Sequence, residues 1–401
     1  MTGFFCSPKS KYVAGQPPAT RPLDLSLFFD ALESSFAPEN VPEDALFHLV
    51  ARNEGVFPDW QQTHIALIGV PEERGTRTNL GTAGGAADIR RQFYLLKKPA
   101  STCRISDLGD LRVGIDLQET YFRVREVCET LLGQGVFPIL VGGSHDLLYG
   151  QYLAYGGLDR PVSVVNVDAT LDIHGRTPAD KHLLDLLTHE PNYLHSFCNL
   201  AHQSYLTSAD ALAVLEKLSF ESFRLGQIRG GIQEMEPVLR EADLLGFDIT
   251  AIKLSDAPGN ANAHAFGLTA EEACQLCWYA GLNDKLTSAG FYEYNPGLDN
   301  RGQTAEAVAT MIWYLVEGFY HRKHDLPIRD STHVRYVVPA NHPHEDLVFY
   351  KSTLSEKWWL EVPDPKRPGP MSVMPCSYQD YQQATRGELP TRWINRLGRM
   401  G

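Results

Sequence analysis

Five apolar runs mark the middle of the chain: His64–Val70, Val136–Val141, Val162–Val167, Phe247–Leu254 and Ala289–Tyr294. Each is short and nearly unbroken by polar residues, as a strand buried on both faces requires. Between them the period lengthens. Tyr121, Val124, Val127, Cys128 and Leu131 recur at spacings of three and four, which predicts one buried helical face. Thr304–Phe319 reads as another helix. Continuous strands alternating with helices predict an α/β domain over 61–325, with a parallel sheet covered on both sides. Residues 1–60 read as an irregular arm with one amphipathic helix around Leu25–Leu32. The pattern changes again after 326. Val334–Val338, Leu347–Tyr350 and Trp358–Val362 are short strand signals, followed by the Pro-rich Pro363–Pro370 and an aromatic tail. These predict a small β-rich appendage over 326–401. Trp358, Trp359, Tyr378 and Trp393 are expected to pack its own core rather than to hold a partner.

Composition narrows the classes. The 401 residues carry 36 Lys+Arg against 49 Asp+Glu, a formal net charge of −13. That balance argues against general nucleic-acid binding, which needs a basic face, but not against cations. No run reaches the roughly 18–20 apolar residues of a membrane helix. The opening Met1–Cys6 lacks the basic-then-apolar order of a secretion signal. The seven cysteines show no framework, so reduced thiols in a cytoplasm are expected. Cys274 and Cys277 form a lone C-x-x-C inside a helical pattern, read as core packing.

In an open α/β sheet ligands bind beyond the carboxyl ends of the strands. Here those ends carry chemistry. Val136–Val141 leads into Gly142-Gly143-Ser144-His145-Asp146, and Val162–Val167 into Asp168-Ala169-Thr170-Leu171-Asp172-Ile173-His174. Phe247–Leu254 contains Asp248 and Thr250, and Ala289–Tyr294 delivers Glu293. Carboxylates gathered at one place resist ionising together unless a cation or protons compensate them. An oxygen-rich set with one imidazole suits a hard divalent ion such as manganese. A single Asp after a strand also caps the next turn, so the case rests on the four positions together.

The order of motifs resembles the ureohydrolase family of arginase, agmatinase and formimidoylglutamase. The resemblance runs over about 64–325: Ile68-Gly69-Val70-Pro71-Glu72, Gly81-Thr82-Ala83-Gly84-Gly85, Asp107-Leu108-Gly109-Asp110, the segment ending at His145, Asp168–Asp172, Phe247–Ala251, and Glu293-Tyr294-Asn295-Pro296 with Thr304-Ala305. Ser255–Asn260 and the appendage look most like the formimidoylglutamase branch of Bacteroidota. The resemblance implies a three-layer arginase-like fold, an oligomer, and a site for two manganese ions whose bridging hydroxide attacks a guanidinium or amidine carbon. By that resemblance His145 and Asp172 match ligands of the first ion, and Asp168 and Asp248 match carboxylates bridging both. Glu293 matches the carboxylate that holds the substrate's planar guanidinium.

Two departures stand out. Thr170 occupies the place of the second ion's histidine and Thr250 that of its own aspartate. All ligands of the first ion are kept and both exclusive ligands of the second are gone. The expected cofactor is therefore one divalent ion, manganese. The expected activity is hydrolysis of C–N bonds in linear amidines or guanidines. The competing expectation is an inactive member of the family, kept as a scaffold whose appendage meets a protein partner. If 168–174 runs extended, His174 shares a face with the ligands and serves as ligand or proton carrier; the alternative is a solvated or turn histidine. His182, His189 and His264 are further candidate acids for the departing amine, each expected at the surface instead.

Overall fold

The computed structural model describes residues 23–33, 41–99, 102–339, 346–363 and 372–400. Apart from Pro363, the Pro-rich stretch lies outside these residues, as does Met1–Cys6. One sheet contains β1 (Phe29–Asp30), β2 (Ala51–Arg52), β3 (Ile65–Gly69), β4 (Ile105–Leu111), β5 (Phe137–Val141), β6 (Val162–Val167), β7 (Leu194–His202), β8 (Glu221–Arg224), β9 (Leu244–Asp248) and β10 (Ser288–Tyr292). Their order is β1-β4-β3-β5-β10-β9-β6-β7-β8, with β2 also on β4. Every pairing is parallel except β1 on β4.

The continuous apolar strands are explained by burial on both faces. In β5, Phe137, Ile139 and Val141 face one core and Leu140 the other; in β9, Leu245 and Phe247 oppose Leu244. The helices are α1 (Gly85–Leu95), α2 (Leu117–Gly133), α3 (Leu147–Gly157), α4 (His182–Thr188), α5 (Ala209–Lys217), α6 (Leu225–Gly230), α7 (Met235–Leu239), α8 (Ala270–Gly281) and α9 (Gln303–Tyr320). The first core lies under α1, α8 and α9, the second under α2 and α3. The predicted face of α2, from Tyr121 to Leu131, is the buried one. Cys274 and Cys277 pack in the α8 core, where burial pushes the Cys274 thiol up to about 12.

Three local expectations are corrected. Leu25–Leu32 is not a helix: a 3-10 turn, Leu25–Phe28, leads directly into β1 at the sheet edge. With β2, it ties part of 1–60 into the main sheet. The run Phe247–Leu254 is the end of β9 followed by a turn, because the Asp248 carboxylate accepts the Thr250 N–H at 2.7 Å and bends the chain. Finally, β4, β7 and β8 were not among the expected strands. In β4 the fully buried Asp107 interrupts the apolar pattern. It is paired with the buried Arg90 (Nε–Oδ2 2.7 Å) and accepts the Tyr94 hydroxyl at 2.6 Å.

The appendage is an antiparallel sheet, β11 (His333–Val338), β12 (Leu347–Ser352), β13 (Trp358–Val362) and β14 (Ser372–Cys376), with α10 (Tyr378–Thr385) and α11 (Thr391–Met400). Trp358, Trp393, Phe349 and Leu360 form its core, and Trp359 is buried too. Tyr378 is the exception: it is 54 % exposed, its ring 5.5 Å from that of Trp358. Arg240, just past α7, donates to the carbonyls of Trp358 (2.9 Å) and Cys376 (3.1 Å) and lies over the Trp359 ring, joining appendage to main domain.

Candidate metal centre

The strands that matter are adjacent. β5, β10, β9 and β6 lie side by side, and their registered ends bring four loops to one rim. After β5 the chain turns through Gly142 and Gly143, both at positive φ. A Cβ on Gly143 would lie 2.3 Å from Leu147 Cδ1 and 2.9 Å from two carbonyl oxygens, so only glycine fits. The turn presents His145 at the mouth of the sheet. Asp168 and Asp172 follow β6, Asp248 ends β9, and Glu293 follows β10.

These residues converge. His145 Nδ1 lies 3.1 Å from Asp248, 3.4 Å from Asp168 and 3.7 Å from Asp172. His145, Asp168 and Asp248 offer donor atoms within 4.8 Å of one another. The tautomer is set from behind. Asn199 Nδ2 donates to the Asp168 carbonyl (3.2 Å), Asn166 Nδ2 donates to Asn199 Oδ1 (3.2 Å), and Asn166 Oδ1 is left to accept His145 Nε2–H at 3.0 Å. With its proton on Nε2, the imidazole turns a lone pair on Nδ1 toward three carboxylates. That arrangement needs a positive charge between them. His145 Nδ1 and Asp168 Oδ2 are both buried without a hydrogen-bond partner. Without an ion the strain appears as shifted titration. Burial alone would lower His145, but Asp168 and Asp248 hold it well above its ordinary value. Burial, then the charge on Asp168, raises both Asp172 and Asp248.

The other face of the carboxylates is different. Asp168 Oδ1 accepts the Thr170 N–H at 2.9 Å and lies within reach of two hydroxyls, Thr170 Oγ1 at 3.3 Å and Thr250 Oγ1 at 3.4 Å. The Thr170 hydroxyl is closest to Asp172 Oδ1, at 2.8 Å. Neutral donors therefore satisfy the oxygens on this side. The donor set fits a divalent ion on the His145 side, and on the other side the Thr170 and Thr250 hydroxyls stand where the first side has an imidazole.

His182 is the main site residue that sequence reasoning undervalued. It was expected at the surface and is 1 % exposed, because the first turn of α4 lies under the site. Its ring is 4.1 Å from that of His145 and its Nδ1 is 3.5 Å from Asp172 Oδ2. Nδ1–H donates to the Ala179 carbonyl at 2.8 Å. Burial, then the charge of His145, lowers its pKa to about 3, and His182 forms with His145 and Asp172 a second group of donor atoms within 4.8 Å of one another. His174 sits apart. The 168–174 segment bends and turns instead of running extended, and this leaves His174 exposed and outside the pocket lining. His189 is half-buried, hydrogen-bonded to the Tyr149 hydroxyl at 2.9 Å. His264 does line the pocket.

Glu293 is held in a left-handed backbone conformation (φ 70°), which costs a non-glycine residue about 1–3 kcal/mol. Two asparagines fix it. Asn79 Nδ2 donates to its carbonyl and to Oε2, both at 2.8 Å, and Asn260 Nδ2 donates to its carbonyl at 2.7 Å. Oε1 accepts the His145 N–H at 3.0 Å. Burial, followed by the charge of Asp248, raises Glu293 to about 8. Asn79, Asn166 and Asn260 were all missed. Asn166 had left one signal, a polar residue inside the apolar run of β6. His145, Asp172, Asp248, Thr170, Thr250 and Glu293 together face a cavity of about 330 Å³.

A family model described as the arginase family matches residues 63–317, and the chain belongs to that family. A formimidoylglutamase from Corynebacterium efficiens is 25% identical over 298 residues, covering 69% of this chain and 91% of the relative. The mitochondrial guanidino acid hydrolase of Homo sapiens is 28% identical over 321 residues, covering 71% and 88%. Among solved structures, a Trypanosoma cruzi formiminoglutamase with Mn2+ has a TM-score of 0.61 at 24% identity, covering 66% of this chain and 95% of that one. Bacillus subtilis formimidoylglutamase has a TM-score of 0.63 at 21% identity, covering 75% and 98%. These structural likenesses bear on the fold, which is the expected layered α/β architecture with the antiparallel appendage added. No helix among the described residues is long and apolar enough to cross a membrane.

Proposed function

We propose that this chain hydrolyses C–N bonds in linear amidines or guanidines, as a formimidoylglutamase- or arginase-like enzyme working with one divalent ion, manganese. The observation that carries the reading is the two-sided Asp168: Oδ2 is buried without a partner beside His145 Nδ1, while Oδ1 faces the Thr170 and Thr250 hydroxyls. His145, Asp168, Asp172 and Asp248 would hold the ion. When bound, such an ion supplies a Lewis acid that acidifies water and steadies charge at the carbon under attack.

The chain's own groups do the rest. Glu293, when ionised, accepts a planar N–H pair and aims the amidine carbon at the His145 side. Asn79 keeps Oε2 in place, and His145 N–H keeps Oε1. Net hydrolysis adds one water: its oxygen bonds to carbon, the C–N bond breaks, and a proton passes to the departing amine. His264 lines the cavity and takes the proton-carrying role that the sequence had offered to His174. A formimino carbon is more electrophilic than a guanidinium carbon, so the amidine branch suits a site of lower positive charge. The same reading places a homo-oligomer in a cytoplasm.

Ion content per purified chain, measured beside release of ammonia, urea or formamide from a panel of amidines and guanidines, tests the reading. One manganese and measurable turnover support it. No ion under saturating manganese overturns it and leaves the scaffold reading.

A further inference from the structure

A second cavity, of about 280 Å³, lies between the main domain and the appendage. It sits at the opposite end of the sheet from the metal centre: Ser163, near the start of β6, lines it, whereas Asp168 and Asp172 follow the other end of that strand. Four cations line it, Arg240 and Lys285 from the main domain and Lys357 and Arg396 from the appendage. Three carboxylates share the lining, Glu241, Asp284 and Asp325. Lys285 and Leu326 are exposed, so the cavity opens to solvent on that side. Most of the charged groups are paired. Lys285 Nζ donates to the Glu241 carbonyl at 2.7 Å and lies 3.0 Å from Asp243. Arg396 lies 3.6 Å from Glu241, and Asp284 accepts the N–H groups of His324 and Asp325 at 3.2 Å. Two groups are not fully paired. Arg240 Nε and Asp325 Oδ2 are buried with no hydrogen-bond partner, on residues only 7 % and 4 % exposed. The other Arg240 nitrogens serve two carbonyls and Glu236, and Asp325 Oδ1 accepts the Ser352 hydroxyl at 2.5 Å. The Lys357 ammonium is in electrostatic reach of both residues. Its bond to the Leu282 carbonyl, at 2.9 Å, leaves two N–H groups, and Glu236 is 3.8 Å away. Buried donors and acceptors without partners are rare in folded proteins, and here one of each belongs to the lining of one cavity.

We propose that this joint binds a free α-amino acid through its two charged ends. The carboxylate pairs with Arg240 and Lys357, and the ammonium with Asp325. A zwitterion suits a lining of four cations and three carboxylates. A phosphate or a dicarboxylate satisfies the cations but brings like charge against Asp325, and a diamine does the reverse. Ligand pockets occur preferentially at domain interfaces, and this volume stands at the small end of their usual range of about 300–1,000 Å³. Because Arg240 and Lys357 come from opposite sides of the joint, a bound amino acid ties the appendage to the main domain. The proposal does not rest on the hydrolase reading: no metal-centre residue lines this cavity.

Thermal unfolding of the full chain, scanned against a panel of L-amino acids with succinate, inorganic phosphate and putrescine as controls of one charge sign, is the first measurement. At least one amino acid is expected to raise the midpoint by several degrees and to slow proteolysis of 326–401, and the controls to do neither. Calorimetry with that amino acid should show about tenfold weaker binding in Lys357→Met and in Asp325→Asn, at wild-type manganese content, and unchanged binding in Glu293→Gln. Asp325→Asn keeps the acceptor for the Ser352 hydroxyl, so it carries the test where Lys357→Met fails to fold. A panel without effect overturns the proposal, as does a control that acts as strongly as the amino acids. Binding that Glu293→Gln abolishes and both joint variants keep also overturns it, since the amino acid then occupies the metal centre.

Discussion

His145 gives its Nε2–H to Asn166 Oδ1 at 3.0 Å, and this bond determines which ring nitrogen faces the carboxylates. Asn166 can accept there only because its own amide nitrogen is committed to Asn199. Outer partners of metal-binding histidines fix the tautomer and the ring angle, and their loss typically weakens ion affinity about 10–100-fold. Asn166→Ala is therefore expected to lower manganese affinity by that factor in a competition titration, with the fold intact by circular dichroism. An unchanged affinity would mean that the imidazole is oriented by packing against His182 and Tyr292 instead.

The threonine side yields a gain-of-binding experiment. Thr170 and Thr250 both stand within hydrogen-bonding distance of Asp168 Oδ1. Replacing them together, Thr170→His with Thr250→Asp, restores an imidazole and a carboxylate on that face. Manganese content is expected to rise from about one to about two per chain. Either single variant leaves too few strong ligands and stays near one. A double variant that still holds one ion would show that the backbone of the 168–172 turn, not the two side chains, excludes the second.

Ion removal should expose a pH dependence of stability. In the metal-free protein Glu293 titrates near 8, above its unfolded value of 4.5, so the folded state binds its proton more tightly. That contribution is fully present below 4.5 and is lost as pH rises through 8. The raised His145 works in the same direction, above 6.5. His182 opposes them, because its folded value near 3 makes the unfolded chain the better proton acceptor, but only below 6.5. The unopposed window is thus pH 6.5 to 8, and across it the metal-free chain should lose about 2 kcal/mol from Glu293 alone. Urea midpoints should fall over that range without manganese and flatten with it. A flat profile in the metal-free chain would show that Glu293 is ionised throughout.

What was legible in the sequence follows from where compensation occurs. β5 and β6 could be read because both faces are apolar, and residue chemistry at their ends marked His145 and Asp168. β4 could not, since Asp107 is tolerated in its middle only through Arg90 and Tyr94, on a helix that the sequence does not show to be adjacent. The same limit applies to His182. A histidine at the start of Leu-rich α4 looks like a surface residue until the turn carrying Asp172 is folded over it. Asn79 and Asn260 stabilise a strained Glu293 from loops far apart in the chain, so neither has a local signature.

Arg240 allows the joint between appendage and main domain to be tested separately from the site. Its guanidinium is buried and serves the Trp358 and Cys376 carbonyls, Glu236 at 3.0 Å, and the face of Trp359. Hydrogen bonds from a charged donor contribute about 1.5–3 kcal/mol each, and truncation leaves buried acceptors unsatisfied. Arg240→Ala should therefore cost about 3 kcal/mol or more in urea unfolding and make 326–401 accessible to proteases first. Arg240→Lys keeps the charge but not the planar fork that reaches two carbonyls, so it should recover only part of the loss. Manganese content should stay at the wild-type level in both, because no metal-centre residue touches this joint. If the alanine variant unfolds in one unchanged transition and resists proteolysis, the two cores are held together by the burial of Trp359 and by the bonds of Arg392 to the Glu234 carbonyl and Lys357 to the Leu282 carbonyl rather than by Arg240.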